Sequence, residues 1–314
     1  MDTVVESALR LRIMDWVRER AESNGGFLFR HELLSFRIDG NDLPVIDFSR
    51  GIRNPRDFAS TLSIVVSVDG PYDDAESDDG LLRYAYRKGD PWGGDNRKLR
   101  NARDTGMPII LFRKEVKNVY TPVMPVYVVD DVPEDGMFLI ALDESFTFLT
   151  DVRNLTMPQR AYAHRLARQR LHQPAFRTRV LVAYETRCAV CRLAHGSLLD
   201  AAHVIPDGHE DGVPTVDNGL ALCKIHHAAY DQNMLGVTPD LVIEIDAEVL
   251  AEIDGPMLKH GIQAMHGREL VVPRRAQDSP DRARLAWRYE QFRERRFVPG
   301  SRIGVVPRSG AGGQ

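Results

Sequence analysis

The sequence predicts an α+β chain of two domains, the first mostly β with helices on it and the second a small unit of hairpin and helix. Three observations carry that reading. Short apolar runs broken by turn residues fill much of the first half, notably Ile109 to Phe112, Pro125 to Val129 and Met137 to Leu142. The stretch from Val152 to Tyr184 then contains no Asp or Glu and reads mainly as helix. Finally, all three cysteines lie between Cys188 and Cys223, bracket an apolar run, and are followed at once by His226 and His227.

In chain order, Val4 to Arg20 carries apolar side chains at helical spacing (Val5, Leu9, Ile13, Trp16, Val17), and Asn24-Gly25-Gly26 ends that helix. Phe27 to Phe48 and Leu62 to Val68 alternate short apolar runs with turns, as strands of a sheet do. Asn96 to Arg103 reads as a basic helix. Pro158 to Leu171 reads as a helix joined through Gln173-Pro174 to a second one running into Tyr184. Beyond Asp231, Leu241 to Ile245 is a short strand, and Pro280 to Phe297 is a charged helix carrying Trp287, Tyr289 and Phe292. Gly300 to Gln314 is rich in glycine and is expected to be a disordered tail. The expected boundaries are 1–150 for the first domain, 151–176 for a basic helical linker, 177–299 for the second domain and 300–314 for the tail.

Cys188 with Cys191, and Cys223 with His226, are pairs separated by two residues, the spacing that lets a tight turn aim two side chains at one tetrahedral zinc ion. Such a set is most simply a structural zinc knuckle, and that is the role assigned to these four. His227 follows directly, and helix neighbours point about 100° apart, so both imidazoles do not readily serve one ion. A second site is implied. Asp231 lies four residues after His227 on the same helical face, the spacing of two ligands for one exposed divalent cation. His203 sits in an apolar run (Ala201, Ala202, Val204, Ile205) that reads as a hairpin strand, and its near-neutral pKa suits a general base.

These residues resemble the HNH nucleases, whose ββα-metal fold sets a histidine on a hairpin strand against a metal-binding helix. The name-giving positions are His203, Asn218 and His227. The resemblance implies that His203 deprotonates the attacking water, that Asn218 holds the hairpin through loop hydrogen bonds, and that His227 binds a Mg²⁺ or Mn²⁺ ion. Many family members place a metal-binding Asp or His just before the base. Here that position is Ala202, so Asp231 is expected as the second ligand, with Asp200 as a further candidate for the ion or for a supporting contact.

Composition sets the outer limits. With 314 residues, 43% hydrophobic and 27% charged, the chain is long enough for two ordinary domains. Three cysteines, all assigned to zinc, leave none for disulfides and point to a reducing cytoplasm. No apolar run is long enough to span a membrane, and charges thread the N-terminus MDTVVESALRLRIMDW, so a cytoplasmic protein with no membrane partner is expected. A net charge of −4 argues mildly against bulk nucleic-acid binding. The local run of Arg153, Arg160, Arg165, Arg168, Arg170, Arg177 and Arg179 argues the other way, and beside a phosphodiesterase motif it is expected to meet the DNA backbone, Arg165 and Arg168 included.

The first domain holds a second resemblance. Tyr72-Asp73-Asp74, then Tyr84-Ala-Tyr86, a Gly-rich loop (Gly89, Gly93, Gly94) and the unit from Asn96 to Phe112 resemble in order the SRA domain, a PUA-like β-barrel that flips a modified base out of duplex DNA. The resemblance implies that Tyr72, Tyr84 and Tyr86 stack on the flipped base while Asp73 or Asp74 reads its edge. Arg97, Lys98, Arg100 and Arg103 would then contact phosphates.

Together the two resemblances imply an SRA/PUA-like barrel followed by a zinc-containing ββα-metal HNH domain, the architecture of bacterial modification-dependent restriction endonucleases. The expected substrate is double-stranded DNA carrying a modified base, cytosine foremost. A homodimer is expected, since one HNH site cuts one strand. Two alternatives stand beside this reading: a non-catalytic zinc-containing DNA reader, and a nuclease whose first domain reads something other than a modified base.

Overall fold

The structure is a computed structural model and describes residues 2–67 and 80–294. Tyr72, Asp73 and Asp74, and the expected tail 300–314, lie outside the described residues.

The chain opens with α1 (Thr3–Asn24), capped by the Asp2 side chain on Val4 N and closed by Gly25 in the left-handed region at φ 98°. Gly26 N bonds back to Ala21 O at 2.7 Å, which completes the helix-ending turn. There follow β1 (Leu28–Phe29), α2 (Arg30–Leu34), the small hairpin β2 (Arg37–Ile38) with β3 (Asn41–Asp42), β4 (Ile52–Arg53), β5 (Ser63–Ser67) and β6 (Leu82–Ala85). Next come α3 (Gly94–Asp104), β7 (Ile109–Val116), the long β8 (Val119–Val132) and β9 (Met137–Ala141). The sheet runs β4-β5-β7-β8-β9-β6, with β1 also on β8, and curls into a half-barrel because β8 pairs with β7 along its first half and β9 along its second.

The first half of strand β7, Ile109 to Phe112, is an unbroken apolar run for a structural reason. Ile109 and Leu111 pack with α3 residues Leu99 and Ala102, while Ile110 and Phe112 pack with α1 residues Ile13, Met14 and Val17. Both faces of the sheet are covered, so alternation with polar residues disappears.

Helix α4 (Met157–Ala167) continues through a π-helical turn at Arg168–His172 into α5 (Gln173–Ala183). The join expected at Gln173-Pro174 is instead near-continuous helix, since Pro174 falls in the first turn of α5, where no N–H is needed. The segment expected as a linker packs inward: Val152, Leu155 and Ala163 join one core cluster, and Ala167 and Leu171 join the cluster under β7.

The second half holds β10 (Leu199–His203) paired antiparallel with β11 (Gly219–Cys223), then α6 (Lys224–Asp231), the hairpin β12 (Leu235–Val237) with β13 (Ile243–Ile245), α7 (Ala247–Ala251) and α8 (Arg282–Glu294). Its core takes in Phe176, Val180 and Leu181 of α5 and also Phe27 and Val119 of the first half. Helix α5 is thus shared: Thr121 Oγ1 on β8 donates to Thr178 Oγ1 at 2.8 Å, and Arg179 lies 3.9 Å from Glu115 on β7. Among the described residues, no helix is long and apolar enough to cross a membrane.

Candidate active site

The four zinc candidates converge. The ligand atoms of Cys188, Cys191, Cys223 and His226 all lie within 4.8 Å of one another. Cys188 and Cys191 sit in a tight turn closed by Arg192 N to Cys188 O at 2.9 Å, while Cys223 ends β11 and His226 follows on the first turn of α6. His226 Nδ1 stands 3.2 Å from Cys223 Sγ and 3.5 Å from Cys188 Sγ. Its Nε2 donates to the Gly261 carbonyl at 2.7 Å, which fixes the ring and aims Nδ1 at the thiols. Burial opposes charge on His226, but its contacts with Cys188 and Cys223 outweigh that and push its pKa up to about 10. Hydrogen bonds from Cys191 and Cys223 pull the Cys188 thiol far below its usual range. A thiolate beside an imidazolium in a Cys3His cage is a donor set whose shared protons a zinc ion replaces, so the residues fit zinc.

The name-giving histidine and asparagine are organised by the β10–β11 hairpin. His203 ends β10 opposite Gly219. Asn218 is wholly buried and clamps the intervening loop: its Oδ1 accepts from Ile205 N at 2.8 Å, and its Nδ2 donates to Ile205 O at 3.0 Å and Val213 O at 2.9 Å. Val204 N also donates to Asn218 O at 2.9 Å. His203 is half-buried, and its Nε2 is buried without a hydrogen-bond partner among the described residues. Burial lowers its pKa, an effect that the neighbouring Asp207 carboxylate opposes only in part.

His227 lies between two carboxylates. Asp200 Oδ2 stands 3.7 Å from its Nδ1, and Asp231 Oδ2 stands 3.4 Å from its Nε2. The two acids are not equivalent. Asp200 Oδ1 takes Arg177 Nε at 3.0 Å and Ala201 N at 2.9 Å, and Arg177 Nη2 donates to Leu199 O at 2.6 Å. Asp231 is 60% exposed, with His227 its sole ionic contact among the described residues. A cleft of about 530 Å³ joins Arg177, Asp200, His203, Asp207 and His227. Arg177 and Asp207 carry no motif of their own, and only the folded chain brings them to this site.

The arginine run is mostly turned to protein. Arg153 pairs with Asp130 and Glu134, Arg168 with Asp207, and Arg177 with Asp200, while Arg170 donates to Pro125 O and Arg179 to Pro214 O. Arg165 is exposed, with its guanidinium 5.2 Å from the Tyr162 ring centre. The acidic and carbonyl partners of these arginines come from other segments of the chain.

The first lobe carries a second cleft, of about 550 Å³, lined by Arg30, Phe48, Arg50, Tyr84, Tyr86, Arg87, Lys114 and Tyr120 among others. Tyr84 is buried, and its hydroxyl donates to Gly51 O at 3.1 Å. The Tyr86 hydroxyl bonds Asp131, and its ring packs 4.7 Å from Phe138. Phe48, absent from the sequence expectations, is 75% exposed under the Arg30 guanidinium. On α3 the basic residues divide. Arg100 is buried against Asp131 and stacked 4.3 Å over Trp92, so it is withdrawn from any phosphate, and Lys98 Nζ donates to the Pro55 and Phe58 carbonyls. Arg103 pairs with Asp104, and Arg97 is exposed.

Comparison with known proteins agrees with the second half of this description. Curated proteins give no match. Among solved structures the chain is similar to the "Modification dependent TagI restriction endonuclease", at 16% identity and a TM-score of 0.29, covering 78% of this chain and 86% of that one. It is also similar to the "Type IV phosphorothioation-dependent restriction endonuclease ScoMcrA", at 14% identity and a TM-score of 0.23, covering 71% of this chain and about half (51%) of that one. Neither score reaches the level that shows a shared fold. The family match is specific in place: residues 188–238 match the HNH endonuclease family, over the same span that holds the zinc cage, the β10–β11 hairpin and α6, and this span is an HNH endonuclease domain.

Proposed function

We propose that the chain is a modification-dependent DNA endonuclease, in which the first lobe reads a modified base and the HNH domain hydrolyses a nearby phosphodiester. One observation carries the nuclease half: His203 lines a cleft that also holds a carboxylate-flanked His227, beside a Cys3His cluster.

The residues divide the work by their partners. Neutral His203 accepts a proton from the water that attacks phosphorus. Asn218 fixes the loop on which the His203 strand ends. Asp200 is already committed to Arg177, and a carboxylate paired with a guanidinium is a poor ligand for a dication; its Oδ2, 3.7 Å from His227 Nδ1, instead favours a proton on that nitrogen by its charge. The Nε2 lone pair of His227 and the open carboxylate of Asp231 then form the cation site. A bound Mg²⁺ or Mn²⁺ supplies neutralisation of charge on the phosphate and the leaving 3′ oxygen. Zinc on Cys188, Cys191, Cys223 and His226 holds the knuckle folded.

The reader half rests on the SRA/PUA-like order of Tyr84, Tyr86 and the Gly-rich loop, on the curled sheet, and on a cleft that combines aromatic rings with Arg30, Arg50, Arg87 and Lys114. In this reading the base, modified cytosine foremost, enters that cleft flipped from the duplex. One HNH site cuts one strand, so double-strand cleavage takes two protomers or two successive events, and of the two the homodimer is favoured in this reading. The test of the nuclease half is cleavage of supercoiled plasmid from modification-proficient cells in Mn²⁺. Wild type nicks it; His203→Ala and Asp231→Asn leave it intact. Equal nicking by His203→Ala would remove His203 from the reaction.

A further inference from the structure

We infer that Phe176 is a positioning residue for the general base, holding the His203 ring by its face in place of the usual hydrogen bond. The inference rests on the nuclease reading. A catalytic histidine ordinarily takes its orientation from a carboxylate or carbonyl bonded to its far nitrogen. His203 has no such contact: Nε2 is buried without a partner, and the described residues offer no hydrogen bond that fixes the ring. What touches the ring is Phe176, with centroids 4.0 Å apart and planes 16° apart.

The surrounding chain is built to keep that contact. Gly219 lies directly across the hairpin from His203. A Cβ at Gly219 would lie 3.0 Å from Phe176 Cζ and 2.5 Å from Val180 Cγ2, so the missing side chain is what lets α5 approach the hairpin closely enough to stack. Phe176 borders the same cleft as His203 but is only 2% exposed, so the surface it offers is chiefly the face on which the His203 ring lies. Arg177, the next residue on the same helix, holds Asp200 and through it His227. One turn of α5 therefore sets both histidines of the site.

The experiment compares Phe176→Leu with Val180→Ala, which removes buried apolar contact from the same helix without touching the His203 ring. Each variant is checked for zinc content and melting temperature, then assayed for kcat and KM on duplex DNA in Mn²⁺. Loss of ring orientation of about 1 Å costs on the order of 100-fold. Phe176→Leu is expected to lower kcat about 10- to 100-fold with KM within twofold, and Val180→Ala to change kcat less than about threefold. Equal kcat losses in the two variants, or a loss confined to KM, overturn the proposal. The His203 ring protons provide a readout in the wild-type protein alone: stacking under Phe176 must shift them upfield, and their absence from that position also overturns it. If wild type fails to cut DNA while the upfield shift is present, the nuclease reading fails and the ring contact stands.

Discussion

Replacing Asn218 with Ala tests whether the HNH asparagine acts through the loop. The side chain is 0% exposed and makes three hydrogen bonds, to Ile205 N, Ile205 O and Val213 O. Alanine leaves one buried N–H and two carbonyls without these partners. An unsatisfied buried polar group costs about 1–3 kcal/mol, with carbonyls at the low end, so the three together cost ~3 kcal/mol. Urea unfolding should show this as a lower midpoint at unchanged slope. Val204 N keeps its bond to the backbone carbonyl of residue 218, but Ile205 loses both of its side-chain anchors, so the loop leaving β10 loosens and His203 drifts from its aim, lowering kcat about 10- to 100-fold with zinc retained. Asn218→Asp keeps the acceptor for Ile205 N but sets a charge against two carbonyls, and should be no better. A midpoint shift worth less than about 1 kcal/mol together with unchanged kcat would refute this reasoning.

Burial lowers the pKa of His203 from the ordinary 6.5, which favours the neutral base. The base form is full above the folded pKa and lost as pH falls through it, so kcat/KM should hold its plateau through pH 6.5 and fall only below it; an acid limb above 6.5 would contradict this. Cys223→Ser, or removal of zinc by a strong chelator, should unfold the knuckle and abolish cleavage, read by circular dichroism and zinc content. Arg100→Ala removes the nearer guanidinium from the buried Asp131 carboxylate, which keeps the Tyr86 hydroxyl and Arg103, and should cost about 1–3 kcal/mol in urea. Lys114→Ala and Arg50→Ala should each weaken DNA binding and reduce the salt dependence by roughly one phosphate contact, measured by fluorescence anisotropy across a salt series.

What was legible in the sequence was short-range. Each half of the Cys3His cluster is a pair at fixed spacing, and α1 is an apolar period ended by Asn24-Gly25-Gly26, so in each case the signal lies within a few residues. The Arg177–Asp200–His227 chain spans fifty residues and depends on α5 crossing the β10–β11 hairpin, which no local pattern encodes. The ion pairs of Arg153, Arg168 and Arg177 were not legible for the same reason: their partners Asp130, Asp207 and Asp200 lie elsewhere in the chain. Phe48 lies in a mixed run where an aromatic reads as core, and only the fold leaves it exposed under Arg30.

The most direct test of the account is cleavage of one duplex prepared unmodified and with 5-methylcytosine, 5-hydroxymethylcytosine or N6-methyladenine, in Mg²⁺ or Mn²⁺, beside His203→Ala. The account predicts cutting confined to modified duplex, a cytosine modification first, and abolished by the substitution. Equal cutting of all four duplexes would contradict the reader, and no cutting with retained selective binding would contradict the nuclease.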